Sequence, residues 1–203
     1  MAFENAIALT GSISTGKSTT VKLLEAAGFH IIDADTIAHQ VLDEQHKAIA
    51  QMFGDAFVEG EKVNRKALGA VVFSDEEKRK QLESLLHPLI YDEIKRLSIK
   101  EDKRGKPYFI DIPLFFETRR YPIKKSLVIY ATKEQQLERL IDREGYTKEE
   151  ALKRINVQIP VEEKRKLATY VIDNSGTLTQ LGQECERVKK EILNDSNQVF
   201  SQW

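Results

Sequence analysis

The stretch Ala6-Ile-Ala-Leu-Thr10-Gly11-Ser-Ile-Ser14-Thr15-Gly16-Lys17-Ser18-Thr19-Thr20 decides how the rest of the chain is read. Ile7 to Thr10 is a short apolar run of strand character. Gly11 to Ser18 then fits G-x-x-x-x-G-K-[ST] at every specified position. A helical pattern follows (Val21, Leu24, Ala27) and stops at Gly28, where a helix end favours a left-handed residue. Two glycines let successive N–H groups turn into one concavity that binds an anion, and a helix starting near Lys17 adds the positive end of its dipole. Lys17 can reach the β- and γ-phosphates of a nucleotide, and the Ser18 hydroxyl can ligate Mg²⁺. A Gly/Ser surface turn is the bland alternative, and the strand before and helix after weigh against it.

Whole-chain properties set the outer bounds. At 203 residues the protein is one large domain or a core with insertions. Apolar residues make up 41% and charged residues 31%, as in a soluble globular protein. A net charge of −1 gives no nucleic-acid or membrane signal, so any basic site must be local. The lone Cys185 excludes an internal disulfide framework and fits a reducing compartment. No apolar run reaches the roughly 18 residues of a membrane span, and the N-terminus lacks a signal-peptide pattern, so a cytoplasmic protein is expected.

After Gly28, Phe29-His-Ile-Ile-Asp33-Ala-Asp35 reads as a strand ending in two carboxylates at period two, which would share one face. Ligands in open α/β sheets sit beyond the carboxyl ends of strands. One acid could take a substrate hydroxyl's proton while the other organises Mg²⁺ or orients the first. Alternatively, one of them caps the helix beginning near Thr36. From Ala38 to about Lys103 the pattern turns helical and charged. Ser74-Asp-Glu-Glu77 fits a capping box, and Leu82 to Leu97 carry one apolar stripe that Pro88 should kink or restart at His87. By itself His87 reads as structural and Arg65 as a solvated residue. The span is too long for a simple crossover, which predicts an inserted helical subdomain able to bind an acceptor.

Tyr108 to Ile112 reads as a buried parallel strand with Asp111 at its end, followed by Pro113 and Leu114. Asp111 stands where phosphate-loop enzymes place a second Mg²⁺-organising acid, or it is a strand-end acid bonded to backbone N–H groups. Ser126 to Ala131 is a further strand, feeding an amphipathic helix from Glu134 to Arg143. Arg139 and Arg143, four apart, share a helical face. They either pair with local acids or neutralise charge on a transferred group. Thr147 to Glu150 fits a second capping box, and Glu162 to Lys166 is a charged run of the usually solvated kind. Residues Arg143 to Lys166 could form a lid that excludes water. Thr169 to Asp173 is the last strand, Leu178 to Leu193 the last helix, and Ser196 to Trp203 a polar, mobile tail.

Alternating strands and helices predict a doubly wound α/β core, a parallel five-stranded sheet of the phosphate-loop, nucleotide-kinase-like kind, with a helical acceptor-binding insertion and a lid. The expected partition is 1–37, 106–140 and 167–203 for the core, 38–105 for the insertion and 141–166 for the lid. A GTPase would need N/T-K-x-D, and Ala131-Thr-Lys133-Glu-Gln lacks the Asp. A small-molecule kinase fits best; a nucleotide-dependent binding switch fits worse, because two acids end the second strand.

The residues that make the resemblance specific are the loop, Ile32-Asp33-Ala34-Asp35, Phe53-Gly54, Arg65-x-x-Leu68 with Phe73, Leu82-Glu83 with His87-Pro88, Pro113-Leu114 with Glu117, Arg154-Ile155-x-x-Gln158 and Val171-Ile172-Asp173-Asn174. In order and spacing they resemble the dephospho-coenzyme A kinase family over about Ile7 to Gly176. Two departures stand out: family loops carry more glycine where Ser12 and Ser14 stand, and Ala168-Thr169 replaces an Ala-Asp. The resemblance implies Mg²⁺-dependent transfer of the γ-phosphoryl of ATP to the 3′-hydroxyl of dephospho-CoA, the last step of CoA synthesis. It implies Lys17 and the amides of Ser14 to Thr19, with Gly11, Thr15 and Gly16, on the phosphates, Ser18 on Mg²⁺, and Asn174 near the adenine. Asp35 would meet the acceptor hydroxyl with Asp33 in support. Arg139 and Arg143 would stabilise transferring charge, and Arg65, His87, Pro113 and Leu114 would contact the acceptor. Small-molecule substrates, no nucleic acid, no membrane, and a monomer or weak homo-oligomer complete the expectation.

Overall fold

The computed structural model describes residues 1–200, with side chains through residue 197. The elements run β1 (Ala6–Gly11), α1 (Lys17–Ala26), β2 (Ile31–Asp33), α2 (Ala34–Glu44), α3 (His46–Phe53), β3 (Val58–Glu59), β4 (Lys62–Val63), α4 (Arg65–Ser74) and α5 (Glu76–Asp102). They continue with β5 (Tyr108–Asp111), α6 (Phe115–Thr118), β6 (Lys125–Tyr130), α7 (Lys133–Glu144), α8 (Lys148–Asn156), α9 (Val161–Leu167), β7 (Tyr170–Asp173) and α10 (Leu178–Phe200). Chain contacts divide it into two units, residues 1–32 with those from 98 on, and residues 33–97.

The first unit is built on a five-stranded parallel sheet in the order β2-β5-β1-β6-β7. The fold class read from the sequence is the one observed. All six residues of β1 are buried, because it pairs with β5 on one side and β6 on the other. Such a strand has no solvated face, which is why it reads as an unbroken apolar run. Ile7, Leu9, Phe109, Leu127, Ile129, Tyr170 and Ile172 form the sheet's contribution to the core. Leu24 of α1 and Leu181, Cys185, Val188 and Ile192 of α10 pack into the same cluster. Burying each Leu or Ile side chain contributes about 1.5–3 kcal/mol. The chain visits β2 and β5 on one side of β1 and then crosses to β6, so the crevice at the carboxyl end of β1 is a topological switch point.

Gly28 ends α1 as its position in the sequence suggests. Its φ is 95°, its N–H donates to Glu25 O, and the Phe29 N–H donates to Leu24 O. That pair of bonds is a Schellman motif, which needs a left-handed residue.

The second unit has its own core of Leu42, Ile49, Val63 and Leu68, with Leu82, Leu85 and Leu86 of α5 against it. It is not wholly helical: β3 and β4 form an antiparallel hairpin around Gly60 and Glu61. Pro88 neither ends nor restarts α5, which runs on to Asp102. The ring opposes the Ser84 carbonyl four residues back, and both residues are exposed, so water can serve that carbonyl. Asp75, not Ser74, caps α5: its Oδ1 accepts from the N–H groups of Glu77 and Lys78. Ser74 is the last residue of α4, and its hydroxyl turns back to Ala70 O and Val71 O. The Thr147 capping box is present, and Thr132 with Gln135 forms another that the sequence reading overlooked. Residues 196–200 extend α10 where a mobile tail was expected; residues 201–203 lie outside the described residues.

Candidate active site

The loop begins at the buried end of β1. Ser14 takes φ 58° and Gly16 φ 87°, two left-handed residues that fold the chain back toward the start of α1. Glycine at 16 is forced twice, since a Cβ there would also lie 2.0 Å from Asn174 Nδ2. Inside the loop, Thr15 N–H and Oγ1 both donate to Ser12 O, at 3.3 and 2.9 Å. The first N–H groups of α1 have no intrahelical acceptors and are what an anion would meet.

Side chains from β5, β7 and α7 converge on the loop. Lys17 Nζ donates to both carboxylate oxygens of Asp111, at 2.6 and 2.5 Å. The strand register explains this: Asp111 stands opposite Leu9, two residues before the loop. Asn174, at the end of β7, donates from Nδ2 to Thr15 O at 2.8 Å and accepts at its own carbonyl from Arg139 Nη2 at 2.9 Å. Arg139 Nη1 and Ser14 Oγ are buried and, among the described residues, have no hydrogen-bond partner. Unpaired buried donors beside a phosphate loop are what an anionic ligand would satisfy. Thr10 Oγ1 donates to Pro113 O at 2.9 Å, and Leu114 next to it is 42% exposed.

Several expected residues sit elsewhere than the pattern implied. Asp33 and Asp35 do not share a strand face, because β2 ends at Asp33 and α2 begins at Ala34. Asp33 is the N-cap, its Oδ1 accepting from Thr36 N–H at 2.9 Å, and Asp35 lies exposed in the first helical turn. Asp33 satisfies one N–H of the helix start and the Asp35 charge complements the helix dipole, and the backbone chooses that over one more strand residue. Arg65 is exposed at the start of α4, behind the cap Asn64, and His87 is half-buried within α5. Arg143 is exposed and pairs with Glu144 at 2.7 Å, rather than with Glu138 or Asp142.

The charged run 162–166 is not simply solvated. Lys164 is fully buried, 2.8 Å from Glu117 Oε1 and 3.2 Å from the Gly11 carbonyl oxygen. Gln158 Oε1 accepts from Ile13 N–H at 2.8 Å. Glu117 and Gln158 stood among the residues that carried the resemblance, but no local signal gave Lys164 an inward direction. As hard donors, the exposed Ser18 hydroxyl and the Asp111 carboxylate suit Mg²⁺. Among the described residues no group of three His, Cys, Asp or Glu is placed to hold a metal ion.

A parallel sheet switching direction beside β1, a phosphate loop there, and an arginine from α7 against that loop define a phosphate-loop small-molecule kinase. The comparisons narrow the class. The family model described as Dephospho-CoA kinase matches residues 5–180. A dephospho-CoA kinase of Sulfurimonas denitrificans is 53% identical over 192 residues, covering 95% of this chain and 96% of that protein. One of Helicobacter pylori is 46% identical over 196 residues, 95% of this chain and 100% of the other. The solved dephospho-CoA kinase from Campylobacter jejuni superposes with a TM-score of 0.71 at 37% identity, covering 93% and 97% of the two chains. The chain belongs to the dephospho-CoA kinase family, whose reaction moves a phosphate from ATP to dephospho-CoA. Among the described residues, no helix is long and apolar enough to cross a membrane.

Proposed function

We propose that the chain transfers the γ-phosphoryl of ATP to the 3′-hydroxyl of dephospho-CoA, with Mg²⁺, giving coenzyme A and ADP. The observation that carries the reading is the loop with Lys17 and Asp111 paired at it and the buried Arg139 Nη1 and Ser14 Oγ beside it, unpartnered among the described residues. The loop amides and Lys17 hold the β- and γ-phosphates. Arg139 meets charge that grows on the transferring group, with Arg143 one helical turn away in support. Ser18, backed by Asp111, holds Mg²⁺, which neutralises phosphate charge when bound.

On the acceptor side, Asp35 receives the 3′-hydroxyl and orients it, with Arg65 and His87 contacting the rest of dephospho-CoA. Because the transition state of phosphoryl transfer is loose, Asp35 acts more by positioning than by early deprotonation. Residues 141–166 close over the nucleotide and exclude water, Gly145 (φ 70°) supplying the turn between α7 and α8. The buried, unpaired Cys185 supports a reducing, cytoplasmic setting.

The test is ADP release with Mg²⁺-ATP, with and without dephospho-CoA, beside Lys17→Ala. Acceptor-dependent turnover that the substitution cuts by about 10²–10³ supports reaction and loop together. Turnover indifferent to dephospho-CoA sinks the substrate assignment.

A further inference from the structure

The reaction as described leaves one buried cation unused. None of the Lys164 side chain is exposed, and its Nζ bridges Glu117 Oε1 at 2.8 Å and the Gly11 carbonyl at 3.2 Å. The same Glu117 oxygen accepts from Ile159 N–H at 3.2 Å. Two residues along the loop, Ile13 N–H donates to Gln158 Oε1 at 2.8 Å. Gly11 and Ile13 are thus both gripped by residues 158–164, and Glu117 braces the grip.

Stability alone explains this arrangement poorly. A buried ammonium is expensive to desolvate, and an apolar side chain of the same length would fill the space at less cost. What an apolar residue could not do is hold a carbonyl. Peptide units are planar and trans, so fixing the Gly11 C=O fixes the direction of the Ser12 N–H that follows it. With Ile13 N–H committed to Gln158, the start of the loop has one orientation available, and the amides from Ser14 onward are presented from it.

We infer that Lys164, braced by Glu117, is a positioning residue for phosphoryl transfer, setting the backbone of the loop's first half so that the amides after it meet the phosphates without rearrangement. The inference rests on the loop's holding ATP. Lys164→Met alone strands the Glu117 charge and can unfold the chain, so the deciding variant is Lys164→Met/Glu117→Gln, which keeps the packing and removes both charges.

The measurement is calorimetric ATP binding without acceptor, beside melting temperature and steady-state kinetics, on the full chain. The expected result is a melting temperature near the parent's, ATP dissociation raised about tenfold, and KM for dephospho-CoA unchanged. A purely structural pair predicts the opposite: once folded, the double variant binds ATP as the parent does, and that result overturns the inference. Gln158→Met, which alters neither charge, is the second arm. It is expected to weaken ATP binding several-fold at unchanged melting temperature, and unchanged ATP binding there overturns the inference even if the double variant fails to fold. A parent chain that does not bind ATP would instead sink the nucleotide reading on which all of this rests.

Discussion

Lys17 Nζ sits between the two carboxylate oxygens of Asp111, at 2.6 and 2.5 Å, across 94 positions of sequence. The parallel pairing of β1 with β5 creates this meeting, and it holds the ammonium at the loop before any phosphate arrives. Removing a preorganised charge from such a site typically costs about 10²–10³ in rate. Lys17→Ala is therefore expected to lower kcat/KM by that order in an ADP-release assay. Asp111→Asn should lower kcat while leaving metal-free ATP binding within about threefold of the parent. An Asp111→Asn enzyme with full kcat would remove Asp111 from the metal-organising role.

Asp33 and Asp35 stand two residues apart with different work to do. Asp33 caps α2 through Thr36 N–H, so Asp33→Ala should lose about 1 kcal/mol in urea unfolding, and Asp33→Asn, which can still cap, should lose little. Asp35 makes no such bond to the helix start in the cap geometry and is exposed. Asp35→Asn is expected to reduce kcat by about 10²–10⁴ with ATP affinity unchanged. Full kcat in this variant would move the hydroxyl-orienting role elsewhere.

Ser14 is a serine held at φ 58°, a conformation glycine adopts without steric penalty. Its hydroxyl is also buried without a partner among the described residues. Ser14→Gly should raise the melting temperature by about 1–4 °C, a gain of roughly 0.5–1 kcal/mol in a chain of this length. The same variant should bind ATP somewhat less tightly, having lost one donor. A fall in melting temperature would show that the strain at position 14 is negligible.

Burial in the α10 face of the core pushes the Cys185 thiol up to about 11 from an ordinary value near 9.0, with Glu184 and Glu186 adding to the effect. A raised folded-state value means that the protonated thiol is what the fold stabilises. That contribution is complete below pH 9 and is lost as pH rises toward 11. Urea midpoints should fall across this window. Tyr108 and Tyr170, also raised by burial, add to the loss at higher pH. Cys185→Ala should begin about 1 kcal/mol less stable at neutral pH yet show a shallower alkaline fall. An identical slope in parent and variant would assign the alkaline loss to the tyrosines.

Much of the site could be read because its signals are local. The loop spacing, the apolar run of β1 and Gly28 each describe a geometry that a few neighbouring residues impose on themselves. Errors arose where two local rules competed. Period two put Asp33 and Asp35 on one strand face, but the capping preference of Asp33 ended the strand first. Ser74 looked like a cap, and the end of α4 claimed it. Pro88 should break a helix, yet its cost falls on the exposed Ser84 side while Leu82, Leu85 and Leu86 hold α5 to its core.

By itself, then, the sequence determined the strand–loop–helix that binds phosphate, the alternation that makes a parallel sheet, and the family. These follow from backbone conformational preferences and from hydrophobic periodicity, both short-range properties of a chain. Tertiary structure alone decided that Asp111 holds Lys17, that Asn174 ties Thr15 to Arg139, and that Lys164 turns inward while its charged neighbours Glu163 and Arg165 stay exposed. Which face of a charged run is buried depends on what distant segment offers a carboxylate and a carbonyl there, and sheet order, not sequence distance, sets that.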